Sequence, residues 1–97
     1  MKGVMILMSD ELSDFEINIL NALRRHNDKN IAEKFSMSDY YNNLQEDVKL
    51  NRFMEILILL EDKGYIKKIA TTFNDKLGYY EIAPEGLRYL INLDLKK

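Results

Sequence analysis

Few of the 97 residues carry side chains able to do covalent or metal chemistry. The chain has no cysteine and one histidine. Thiol nucleophiles, disulfide frameworks, zinc–thiolate fingers, iron–sulfur clusters and histidine-rich metal sites are therefore excluded. His26 falls near the end of an apolar helical stripe, where it reads as a cap or core residue. No serine, histidine and acid arrangement forms a visible triad. Glu46-Asp47 and Glu61-Asp62 are adjacent acids, and neighbours on a helix do not face each other, so neither pair makes a two-carboxylate site. The glycines at 3, 64, 78 and 86 are isolated, so no loop is built to cradle phosphate. The expectation is a binding protein, not an enzyme, with no cofactor and no metal.

The elements that position the remaining side chains can be read from spacing. A chain of this length supports one domain with one modest core, and the 46% apolar content is that of a folded globule. Ser13-Asp14-Phe15-Glu16 is a capping box, with Leu12 and Ile17 at the staple positions. Phe15, Ile19, Ala22, Leu23 and His26 follow on one stripe, predicting a helix over residues 14–26. Asn27 to Asn30 is its stop. Ile31 to Phe35 fits a helical turn capped by Asn30, and Ser36-Met37 fits a brief extended link; the spacing leaves helix and strand open over 31–37. Ser38 is the candidate N-cap of a second short helix, with Tyr41 and Leu44 inward.

Leu50, Phe53, Leu57 and Leu60 predict a helix over residues 50–63, ended by Gly64. The period then becomes alternating. Residues 65–73 read as a strand with Ile69, Thr71 and Phe73 on one side, residues 74–78 as a turn, and residues 79–82 as a returning strand. Pro84 stands at the first position of a last helix with Leu87, Leu90 and Ile91 as its apolar face. Residues 1–11 form an N-terminal arm and residues 12–97 the domain. Val4 to Met8 is too short for a signal-peptide core, and no run nears the roughly 18 to 20 apolar residues that span a bilayer. A cytoplasmic protein with no membrane partner is expected. Met1 to Met8 is either an ordered apolar arm suited to a dimer contact or a tail.

The expected fold is mainly α with a β-hairpin (α+β), in the order helix-helix-helix-strand-strand-helix. Phe53-x3-Leu57-x2-Leu60-Glu61-Asp62-Lys63-Gly64-Tyr65-Ile66, followed by Gly78-Tyr79-Tyr80-Glu81-Ile82-Ala83-Pro84-Glu85-Gly86-Leu87, resembles the winged helix-turn-helix repressors of the MarR and PadR kind. The resemblance covers about residues 12–93. It departs from the family between Asn30 and Lys49, where the segment is longer and more polar. It implies a small transcriptional regulator that binds double-stranded DNA as a homodimer, with the helix 50–63 in the major groove and the hairpin 65–82 as a wing.

On that expectation Asn51 and Arg52 would read base edges, Asn51 pairing with adenine and Arg52 with guanine. Lys49, Lys67, Lys68 and Lys76 would bind phosphates. The overall charge of -2, from 14 basic and 16 acidic residues, excludes a polybasic coating protein. The charge is uneven: residues 1–48 hold five basic and nine acidic side chains, and residues 49–97 hold nine and seven. The plainer reading of Lys67 and Lys68 is that they blunt an edge strand. Arg24, Arg25 and Lys29 read as partners of the first helix's C-terminus. Tyr40, Asn42, Asn43 and Gln45 are expected to face solvent, where they either contact phosphates or form a plain surface. Ile58 and Leu59 fall on the outer side of the helix 50–63, with Glu55 and Asp62. Two adjacent aliphatics there mean either a patch covered by the arm or last helix, or a docking face. The alternative function is thus a module of the same fold that docks a protein partner through Glu55, Ile58 and Leu59 and does not bind DNA.

Overall fold

In a computed structural model the described residues are 11–72 and 75–96, apart from the side chains of residues 72, 75 and 76. Among them the order is α1 (Asp14–Asp28), β1 (Phe35–Ser36), α2 (Met37–Asn42), α3 (Leu50–Asp62), β2 (Ile66–Thr72), β3 (Asp75–Ile82) and α4 (Pro84–Leu95). The strands form one antiparallel sheet in the order β1-β3-β2. Among the described residues the architecture is α+β, four helices around a small three-stranded sheet.

The capping box forms as the sequence predicts. Ser13 Oγ accepts from the Glu16 amide at 3.3 Å, and Glu16 Oε1 accepts from the Ser13 amide at 2.7 Å. The helix runs two residues further than its stripe predicts, to Asp28. Asn30 does not cap a following helix. It takes φ 53° just beyond the end of α1, its amide donating to the Asn27 carbonyl at 3.1 Å. Asparagine tolerates that left-handed conformation better than most residues, so it closes α1.

Over 31–37 the chain is irregular to residue 34, a two-residue strand at Phe35–Ser36, and helix from Met37. Phe35 pairs with Tyr80 and Ser36 with Tyr79 on β3. The second helix is capped by Ser36, not Ser38: its Oγ accepts from the Asp39 amide at 3.2 Å. Met37, the first residue of the helix, is completely buried.

The hairpin also differs from its predicted bounds. β3 begins at Asp75, so residues 75–78 belong to a strand and not to a turn. Gly78 supplied the turn signal, but its φ of +83° serves an irregularity within the strand, between the pairs Ala70–Tyr79 and Thr72–Asp75. A Cβ there would stand 2.8 Å from the Ala70 carbonyl oxygen. A second shift, between Lys68 and Ala70, breaks the alternation of β2: Ile66 is buried, Ile69 is half-buried and Thr71 is exposed. Phe73 and residues 1–10 of the arm lie outside the described residues.

The core draws on the four described helices and on β2 and β3, where Ile66 and Ile82 are buried, while β1 adds only the half-buried Phe35. Ile19, Leu20 and Leu23 of α1, Met37 of α2, Phe53, Ile56, Leu57 and Leu60 of α3, Leu77 and Tyr80 of β3, and Leu90 of α4 pack together. Phe53 is the hub of an aromatic cluster: Phe15 meets it edge-on at 6.1 Å, and Tyr41 and Tyr40 lie at 5.0 Å and 6.3 Å. Tyr40 is therefore half-buried, contrary to the expectation that it faces solvent. An amphipathic turn with two adjacent tyrosines can bury both when a large ring waits between them. The Tyr41 hydroxyl donates to the Val48 carbonyl, which ties the α2–α3 connection down.

Candidate nucleic-acid interface

The candidate face is the outer side of α3. The helix exists because Phe53, Ile56, Leu57 and Leu60 are buried at helical spacing. It ends in a Schellman motif: the Tyr65 amide donates to the Leu60 carbonyl at 3.0 Å and the Gly64 amide to Glu61 at 2.9 Å. Gly64 accepts the required φ of +80° without steric cost. That stop turns the chain directly into β2, so the hairpin's position is set by the end of α3.

Asn51, Arg52, Glu55, Ile58, Leu59 and Asp62 all lie exposed on the outer side of α3, as does Lys49 at its N-cap. Ile58 and Leu59 are 55% and 42% exposed. Leu50, expected inward, is only half-buried, and Ile56, absent from the expected stripe, is buried. Spacings of three from Phe53 to Ile56 and four from Ile56 to Leu60 carried that signal. Arg52 sits 3.5 Å from Glu55, with both side chains more than two-thirds exposed. An ion pair so open to water holds its partners weakly, so Arg52 can exchange Glu55 for another acceptor.

Lys68 Nζ lies 5.6 Å from the Tyr80 ring centroid, and Lys68 shares a cleft of about 110 Å³ with Met54, Leu57, Ile58, Glu61, Leu77 and Tyr80. The hairpin thus places one cation beside the C-terminal half of α3. Lys67 is also exposed, but it pairs with Glu81, and adjacent residues of a strand point to opposite faces. The two lysines do not converge. The side chain of Lys76 lies outside the described residues. Burial pushes the Tyr80 phenol up to about 12, helped by the nearby Glu61 carboxylate.

Contrary to expectation, Arg24 does not serve the C-terminus of α1. Arg24 bonds Asp94 at 3.2 Å and Asn21 at 2.9 Å, joining α1 to α4. Asn42, Asn43 and Gln45 are all exposed, and the Asn43 side-chain amide donates to the Asp39 carbonyl at 2.8 Å. His26 meets the Phe35 ring edge-on at 5.5 Å and serves as packing. Two shallow concavities that spacing does not reveal flank Ile31 to Phe35, lined in common by His26, Ile31, Glu33, Lys34 and Phe35. Their only trace in the sequence is the loop-forming Asn30.

Among the described residues, no helix is long and apolar enough to cross a membrane. Comparison with models of protein families, with curated proteins and with solved structures finds no match to this chain.

Proposed function

We propose that the chain is a winged helix-turn-helix protein that binds double-stranded DNA as a small transcriptional regulator. In this reading α3 enters the major groove and the β2–β3 hairpin is the wing. Asn51 and Arg52 read base edges, and Lys49, Lys67, Lys68 and Lys76 meet phosphates. The observation that carries it is that α3 exposes its whole outer side, polar and cationic at its start, with Lys68 standing beside it. The order of elements and the pairing of β3 with both other strands are compatible with that family's plan. A homodimer is part of the proposal. Ile91 and Leu95, 53% and 78% exposed on α4, are the residues a second copy would cover.

The test is fluorescence anisotropy with a mixed duplex pool at several salt concentrations. Four or five phosphate contacts predict a log-log slope of about -4. The exposure of Ile58 and Leu59 favours a second reading, in which Glu55, Ile58 and Leu59 dock a protein and DNA is not bound. Folded protein that binds no duplex at low salt would select it.

A further inference from the structure

The outer side of α3 is not uniform. A straight α-helix drifts only about 20° over seven residues. Asn51 is therefore aligned with Ile58, and Arg52 with Leu59, in two parallel rows of one polar and one apolar residue. The members of each row are separated by about 10.5 Å along the axis, at 1.5 Å per residue. The four side chains are exposed, so they form one continuous surface. A groove that holds α3 lengthwise at Asn51 and Arg52 also passes Ile58 and Leu59.

Resting on the DNA reading, the geometry points to the occupant of the apolar half: we propose that Ile58 and Leu59 contact the C5-methyl groups of thymines in the major groove. The thymine methyl is the apolar group that major-groove base edges present. At about 3.4 Å per step along a strand, the 10.5 Å offset places it about three base steps from the bases read by Asn51 and Arg52. The surrounding charges fit a duplex. Lys68 borders the cleft that Ile58 lines, next to Glu61. Glu55 is paired with Arg52, and Asp62 stands at the helix's last position, where α3 leaves the groove. The DNA site is then A·T-rich beneath the second half of the helix.

The experiment starts from a random duplex library enriched on the full chain. The enriched duplex is made twice, once with thymine and once with uracil, which differ by the methyl alone. Binding is read by anisotropy for the wild type and for the double variant Ile58→Ala/Leu59→Ala, whose fold is checked by its melting curve. The wild type binds the uracil duplex about four-fold more weakly for each methyl lost, as expected for removing one buried carbon group. The double variant binds both duplexes alike. Equal affinity of the wild type for the two duplexes overturns the proposal and leaves DNA binding intact, as does a double variant that keeps the full preference for thymine. A folded protein that enriches no duplex overturns the DNA reading as well, and leaves the face to a protein partner.

Discussion

Gly86→Ala reverses a rule. Replacing glycine by alanine within a helix ordinarily stabilises it by up to about 1 kcal/mol. Gly86 sits in the first turn of α4 and is buried. A Cβ built there would lie 2.3 Å from the Tyr65 carbonyl oxygen and 3.0 Å from Ile82 Cγ1. The first obstacle is backbone, so no rotamer change relieves it. That oxygen also accepts from the Ala83 amide at 3.0 Å. Moving α4 away would stretch the bond that seats the helix at the end of α3. Overpacking costs about 1–3 kcal/mol, and the weakened hydrogen bond about 1 kcal/mol more. Setting the propensity gain against these leaves a net loss of about 2 kcal/mol, or a Tm lower by roughly 8–16 °C for a domain of this size. Thermal unfolding followed by circular dichroism at 222 nm measures it. A variant that melts at or above the wild-type temperature would refute the close docking of α4 on Tyr65.

Three further outcomes are expected. Ser13→Ala removes one half of the capping box and lowers stability by about 1 kcal/mol in urea titration; an unchanged midpoint would mean the box is not formed. Asn30→Gly relieves the left-handed φ and raises stability by about 0.5–1 kcal/mol, whereas a loss would show that the Asn30 side chain is needed. Tyr80, raised to about 12, keeps its proton longer in the folded than in the unfolded chain. Its contribution to stability is therefore full below pH 10 and lost as the pH rises through about 12. In a phenolate absorbance titration Tyr80→Phe should remove the last-ionising component, and loss of an early component instead would contradict its burial.

The parts of the fold that could be read from the chain are those where one signal dominates. Ser13 and Glu16 have no competing use in their spacing, and Pro84 fits the start of a helix and little else. The outer side of α3 was legible because its opposite side is strongly apolar. The segment from Asn30 to Asn43 was not, because its structure is decided at a distance. Phe35 becomes strand only by pairing with Tyr80, 45 residues away in sequence. Tyr40 turns inward because Phe53 offers a ring to stack on. Gly78 misled for a related reason: a positive φ serves a turn and an in-strand irregularity equally well, and local sequence does not separate them. At the candidate site, exposure could be foreseen but convergence could not. Lys67 and Lys68 look equivalent as a pair, yet the strand sends only Lys68 toward α3.

In the proposed duplex complex, Arg52 on α3 and Lys68 on the hairpin act together. The most direct measurement is anisotropy of an enriched duplex at low salt with wild type, Arg52→Glu, Lys68→Glu and the double variant. Both residues are exposed, so the folds should survive, and melting curves verify it. Each single variant is expected to weaken binding by at least ten-fold, roughly 1.4 kcal/mol, and the double variant to abolish it. Undiminished binding by the folded double variant would rule out duplex recognition by α3 and the hairpin.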